Sequence, residues 1–261
     1  MSFLDSLVLG IVEGVSEFLP ISSTAHLMLG SVLLGVSQSD FVKSFEIAIQ
    51  LGAILAVVVL YWRTIFDLTL MAKIITAFIP TAAIGLVLYH FIKTYLIGND
   101  VVALWALALG GVALIAFEWW HGRKADQDTE GVDDVTYKQA LMIGVAQSIA
   151  VIPGVSRSAA TIVGGLLMGL RRETIVKFSF LLAVPTMAAA TGLDLLSSYQ
   201  SFNSGDIGLI AAGFVTSFIV ALVAIKWFLA YVRTHTFVPF GVYRIAVAAL
   251  FWLFVFHSLQ S

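Results

Sequence analysis

Glu13 to His26 reads EGVSEFLPISSTAH, and a later stretch, Gln147 to Ser158, reads QSIAVIPGVSRS. The first packs two acids, four hydroxyls and a histidine into fourteen residues of a chain that is 60% hydrophobic and only 11% charged. Lipid does not tolerate idle charge, so acids at the depth of an apolar segment point to chemistry. Residues 5–36 are apolar enough to enter a bilayer, yet Glu13, Glu17, Pro20 and His26 fall where the centre of a spanning helix would lie. A straight span is therefore disfavoured. Two half-helices, roughly 5–18 and 23–36, meeting at a Pro-Ile-Ser turn make a re-entrant hairpin, which is tolerated where protein or a water-filled cavity surrounds the broken backbone.

Working outward, runs of eighteen or more largely apolar residues mark the chain as an all-α polytopic membrane protein. Spans are expected at about 46–62, 74–92 and 101–120. A polar linker follows, His121 to Thr136, HGRKADQDTEGVDDVT. Then the plan repeats, with a second polar-tipped segment at 139–170 and spans at about 178–197, 207–226 and 239–257. The expectation is one membrane domain, 1–261, of six transmembrane helices plus two re-entrant helical hairpins. A shift of 134 aligns Gly10 with Gly144, Glu13 with Gln147, Gly30 with Gly164, Gly35 with Gly169 and Lys43 with Lys177. Pro20 and Pro153 sit one residue off that register, and a slip in the turn pairs Ser23 with Ser156. Repeat one is 1–127 and repeat two 135–261. Three spans and a hairpin per half put an odd number of crossings between the copies, so they form inverted-topology repeats.

The formal charge of −2 and the lack of any basic block argue against a nucleic-acid partner, leaving the membrane bilayer as the surroundings. Cysteine is absent, which removes disulfides and thiolate metal sites. MSFLDSL has no basic region of the kind that opens a cleaved signal, so residue 1 is expected to belong to the fold. If the first hairpin enters from one face, the loops of the opposite face carry Arg63, Lys73, Arg123, Lys124, Lys138, Arg171, Arg172, Lys177, Lys226 and Arg233. The entry face has only Lys43 and Lys93. Positive residues mark the cytoplasm, which puts both termini and the mouth of the first hairpin outside. Trp62, Trp119 and Trp120 read as interfacial anchors.

Glu13 and Glu17 are four apart and share one face of the first half-helix, their side-chain carbons about 5–6 Å apart. Two such carboxylates need a cation or a shared proton between them. Paired oxygen ligands suit a divalent cation, Mg2+ or Ca2+, that borrows its other ligands from phosphate and water; a proton or sodium relay is the alternative. Ser22 and Ser23 open the second half-helix, where hydroxyls and the helix dipole favour an anion such as phosphate. Ser156 and Ser158 flank Arg157 at the corresponding turn, adding a guanidinium fork that matches phosphate oxygens. His26, within one turn of Ser22 and Ser23, can reach either hydroxyl or the bound group as a proton carrier. Arg244 is expected to pair with Glu118 or to snorkel to the surface. Glu46 admits a structural or a functional role.

GIVEGVSEFLPISSTAHL, FEIAIQLGAILAV and PGVSRSAATIVGGLLMG closely resemble the undecaprenyl-diphosphate phosphatases, bacterial membrane enzymes associated with bacitracin resistance, over essentially the whole chain. The resemblance implies six spans with two re-entrant hairpins, in the bacterial cytoplasmic (inner) membrane. It also implies hydrolysis of the lipid substrate undecaprenyl diphosphate to the monophosphate plus inorganic phosphate, which supplies the carrier for peptidoglycan. The family's two glutamates, serine, histidine and arginine fall on Glu13, Glu17, Ser23, His26 and Arg157, which become the expected catalytic set. Ala25 and Ala159 stand where glycine is usual. The nucleophile stays open between Ser23, activated by His26, and water activated by the cation, with Ser23 preferred. The rival class is a secondary transporter or flippase for a phosphorylated lipid, since inverted repeats with broken helices also build alternating-access carriers. Chain-length preference, metal identity and oligomeric state, a homodimer among the options, are not legible.

Overall fold

The computed structural model describes residues 1–37, 39–96, 99–122, 131–198 and 207–258, with the side chains of residues 40, 93, 193–198 and 254–258 excepted. Arg123, Lys124 and the middle of the polar linker lie outside the described residues, as does the Lys93 side chain. Every regular element among those described is helical. In chain order the α-helices are α1 (Phe3–Ser16), α2 (Ser23–Leu33), α3 (Asp40–Leu60), α4 (Trp62–Ile65), α5 (Leu68–Val87), α6 (Tyr89–Phe91), α7 (Asp100–His121), α8 (Tyr137–Gln147), α9 (Arg157–Leu167), α10 (Arg172–Ser198), α11 (Ile207–Val232) and α12 (Val238–Ser258). Among the described residues five helices are long and apolar enough to cross a membrane: Phe41–Leu60, Leu68–Val87, Asp100–His121, Arg172–Gly192 and Ile207–Val232. The protein is a multi-pass membrane protein. The sixth expected span falls on α12, in which the stretch Val238–Leu253 is apolar among the described side chains.

Helix starts are set by capping side chains, and these move several expected boundaries. Ser39 accepts from Val42 N (3.2 Å), so α3 begins at residue 40 and not near 46. Asp67 accepts from Thr69 N and Leu70 N (2.8 and 3.0 Å), which starts α5 six residues earlier than expected. Each bond satisfies backbone donors that an apolar medium would leave unpaired. At the N-terminus Ser2 and Asp5 form a reciprocal capping box that starts α1.

The packing pairs corresponding elements of the two halves across the molecule. Helix α1 lies on α11 and α8 lies on α5, so the first helix of each polar-tipped pair packs against the other half's second long helix. Likewise α3 packs on α10 and α7 on α12. Gly10 and Gly144, 134 residues apart, make these approaches possible. A methyl at Gly10 would lie 2.7 Å from the Gly213 carbonyl, and one at Gly144 would overlap the Ala77 carbonyl. The largest core cluster takes in Phe18, Leu19 and Ile21 of the first tip together with Phe178, Phe180 and Phe228, so packing against α10 and α11 fixes where that tip sits.

The register is specific at the tips. Ser22 (φ 72°) and Ser156 (φ 78°) are the N-caps of α2 and α9, and among the described residues no other non-glycine has positive φ. Both helices run eleven residues and are followed two residues later by a glycine of positive φ, Gly35 and Gly169. Ser22 therefore corresponds to Ser156 and Ser23 to Arg157. This corrects the expected pairing of Ser23 with Ser156: the one-residue slip around the prolines is recovered before the cap is reached.

Candidate active site

Helix α1 ends at Ser16, and Glu17 follows it in helical conformation, its N–H bonded to the Glu13 carbonyl at 3.0 Å. Both acids thus stay on one face and point into the interior. Glu17 is held by two donors from two different short helices. Its Oε1 accepts from Arg157 Nη2 at 2.9 Å, and its Oε2 accepts from the Ser23 hydroxyl at 2.5 Å. Arg157, at the start of α9, also donates from Nη1 to the Ser179 carbonyl on α10 (2.7 Å) and lies 6.0 Å over the Phe18 ring. With side chains only 13% and 5% exposed, the Arg157–Glu17 pair is shielded from water. A charge pair in that setting is held by directed hydrogen bonds to a degree that surface pairs are not.

Glu13 is 0% exposed, and neither of its carboxylate oxygens accepts from an N–H or hydroxyl donor among the described residues; the Glu17 carboxyl is its hydrogen-bonding neighbour. Glu17, Glu46 and Arg157 are the charged groups that act on it. Its counterpart Gln147, also fully buried, donates from Nε2 to Thr81 Oγ1 (2.8 Å) and Thr186 Oγ1 (3.3 Å) and leaves its Oε1 unpartnered. Arg157 Nε is unpartnered as well. Polar atoms this deep are ordinarily satisfied, so the open Glu13 carboxylate, with Arg157 acting on it, is what a buried site that receives a polar ligand leaves.

The serines divide into different tasks. Ser22 holds the strained cap position of α2 but makes no side-chain capping bond, whereas Ser156 accepts from Ala159 N at 3.2 Å. Ser23 is not a cap; its hydroxyl is committed to Glu17. Ser158 Oγ donates to the Leu19 carbonyl of the other tip (2.7 Å) and lies 3.3 Å from Ser156 Oγ. It ties the two tips together by a backbone bond. Thr161 Oγ1 and Ser179 Oγ, 2.6 Å apart, back the start of α9.

His26 departs from the expectation. Its Nδ1 is 2.8 Å from the Ser22 carbonyl and its Nε2 is 2.9 Å from the Tyr243 hydroxyl. A carbonyl can only accept, so Nδ1 carries the proton, and Nε2 accepts from Tyr243. The ring bonds the Ser22 backbone and not either serine hydroxyl; α2 turns it away from Ser23 and toward α12. The group on the Ser23 proton is Glu17. Tyr243, 217 residues from His26, carried no signal in the sequence.

Arg244 is also corrected. Glu118 is taken by Arg172, through bonds of 2.5 and 2.8 Å, and by the Phe237 N–H at 2.8 Å. Arg172, counted as a loop cation, is therefore nearly buried in an ion pair. Arg244 neither meets Glu118 nor reaches the surface: it is 0% exposed and bonds only backbone carbonyls.

These features describe a class: an all-helical, multi-pass membrane protein whose interior holds a carboxylate, a hydroxyl and a guanidinium converging from two pairs of short helices. Comparison with known proteins gives that class a family. Residues 6–250 match the family model described as bacitracin resistance protein BacA, and the chain belongs to that family. It is 53% identical over 258 residues to an undecaprenyl-diphosphatase of Aquifex aeolicus, covering 97% of this chain and 100% of that protein. An undecaprenyl-diphosphatase of a Sulfurihydrogenibium species is 50% identical over 253 residues, with 97% and 99% covered. One from Campylobacter fetus is 44% identical over 259 residues, with 98% and 100% covered.

Proposed function

We propose that this chain is an integral membrane phosphatase that hydrolyses undecaprenyl diphosphate to undecaprenyl phosphate and inorganic phosphate. The observation that carries it is the Ser23–Glu17–Arg157 arrangement, in which one carboxylate oxygen sits 2.5 Å from a hydroxyl and the other accepts from a guanidinium. A carrier has no use for a hydroxyl held by a base, and full-length similarity to undecaprenyl-diphosphatases points the same way.

In the mechanism we favour, Ser23 Oγ bonds to the terminal phosphorus as the bridging P–O bond breaks, and the Ser23 proton passes to Glu17 Oε2. Undecaprenyl phosphate leaves with the bridging oxygen and that proton. Water then gives a proton to Glu17 as its oxygen bonds to phosphorus, and Glu17 returns that proton to the Ser23 oxygen as the Ser23–phosphorus bond breaks, releasing inorganic phosphate and restoring both side chains. Arg157, with the N-termini of α2 and α9 at Ser22 and Ser156, stabilises the charge on the transferred phosphoryl. Glu17 takes the part that sequence gave to His26. The histidine's role becomes positional, holding the Ser22 carbonyl and with it the strained cap.

Glu13 would hold a divalent cation, Mg2+ or Ca2+, that would neutralise diphosphate charge; Glu17, the expected second ligand, has both oxygens engaged by Arg157 and Ser23 and serves as the base. The unpartnered Glu13 oxygens fit such an ion. No three acidic or histidine side chains converge as a complete ligand set among the described residues, so such an ion would complete its shell from substrate oxygens and water.

The halves 1–127 and 135–261 are proposed as inverted repeats, each a re-entrant hairpin plus three spans. The matched strained caps and the reciprocal packing of α1 on α11 and α8 on α5 support this. The basic loop residues support a site opening outward from the bacterial inner membrane, with both termini external. Purified protein in detergent should release inorganic phosphate from undecaprenyl diphosphate. A protein that binds the lipid and releases none would be a carrier.

A further inference from the structure

Resting on the phosphatase function proposed above, we infer that Arg244 is the positioning residue that locks the two tips of the site into one geometry. Its five N–H protons meet five carbonyl oxygens. Nε donates to Leu107 (3.1 Å), Nη1 to Pro20 (3.2 Å) and Val155 (3.0 Å), and Nη2 to Ala106 (3.2 Å) and Gly154 (2.9 Å). Pro20 is in the turn between α1 and α2, Gly154 and Val155 are in the turn before α9, and Ala106 and Leu107 are on α7. One buried side chain thus joins both tips to one long helix.

The chemistry explains why an arginine is needed. Breaking a helix inside an apolar medium leaves carbonyls without an intrahelical donor, and they must be satisfied by protein. The guanidinium is planar, permanently charged and presents its donors in a fixed fork, so it satisfies several carbonyls and holds their relative positions at once. Pro20 lies three residues before Ser23, and Val155 lies two before Arg157. The two residues that bind Glu17 are set by turns that share one guanidinium.

The space for that head comes from Gly110, where an added methyl would overlap Arg244 Nη2. The head is pinned on all its donors and has nowhere to move. The neighbouring residue on α12, Tyr243, reaches His26 and so fixes the Ser22 carbonyl of the same tip. Arg244 touches neither Glu17 nor Ser23 nor Arg157, and it acts on them through the backbone.

The test uses the full-length protein in detergent with undecaprenyl diphosphate, comparing wild type with Arg244→Lys, Arg244→Gln and Gly110→Ala. Rates are normalised to folded protein by size-exclusion chromatography. Displacing reacting groups by about 1 Å costs roughly a hundredfold in rate, so kcat should fall by about that factor in Arg244→Lys and Gly110→Ala while KM changes less than about threefold. The Arg244→Lys, Gly110→Ala double variant should lose little more than either single one, since both break the same clamp. Hydrogen exchange at residues 19–23 and 154–157 should quicken in both, a readout that does not depend on which substrate the enzyme takes. If wild type releases no phosphate, the functional proposal fails, and exchange alone judges the clamp. A purely structural residue would lower the yield of folded protein while leaving kcat and tip exchange near wild type. That result, or loss in Arg244→Gln with full activity in Arg244→Lys, would overturn the inference. Should Arg244→Gln not fold, Gly110→Ala decides it.

Discussion

Replacing Glu17 by glutamine keeps the shape of the side chain and removes its charge. In the native site one carboxylate oxygen accepts from Arg157 at 2.9 Å and the other from Ser23 at 2.5 Å. An amide has a single acceptor oxygen. Turned toward Ser23, it would set its NH2 against the Arg157 N–H donors, so it must turn its oxygen to Arg157 and its NH2 to Ser23. The Ser23 hydroxyl then loses the acceptor for its proton. Weakening the charge-assisted bonds costs about 1.5–3 kcal/mol of stability; losing a general base costs about 10²–10⁴ in rate. Glu17→Gln should therefore remain folded in detergent with its thermal transition lowered, while phosphate release at saturating lipid falls at least a hundredfold. Turnover within tenfold of wild type would refute the assignment of Glu17 as the base.

Arg157→Lys keeps the charge but cannot bridge both Glu17 and the Ser179 carbonyl, so phosphate release should drop by about a hundredfold or more; a loss under fivefold would mean that charge alone suffices. Chelation of divalent cations should abolish turnover, and added Mg2+ or Ca2+ should restore it; full activity in excess chelator would remove the cation from Glu13. Ser22→Gly should be more stable than Ser22→Ala by about 1–2 kcal/mol in thermal unfolding, because only glycine tolerates positive φ without strain. Equal stability would show that the cap carries no strain.

The residues that announce themselves in the sequence do so because they are anomalous there. Glu13, Glu17 and Arg157 are charges in apolar segments, and a medium that penalises them makes them conspicuous. What they bond to was less legible. The partner of His26 lies 217 residues away, and no spacing rule links α2 to α12. Arg244 stood out as a charge but not in its role, because its partners are carbonyls, which every residue has; the one available trace was Gly110, whose missing side chain makes room for it. The caps at Ser39 and Asp67 lie ahead of the apolar runs, so α3 and α5 begin six residues before the spans that hydropathy marks. The Ser22–Ser156 correspondence turned on backbone dihedrals, and these do not appear in an alignment of residue types.

The stereochemical course at phosphorus tests the central claim most directly. With undecaprenyl diphosphate made chiral at the terminal phosphorus by oxygen isotopes and sulfur, two successive in-line displacements through Ser23 return the starting configuration. Hydrolysis through phosphorylated Ser23 predicts retention. Inversion would mean that water attacks the lipid diphosphate directly, contradicting the role given to Ser23.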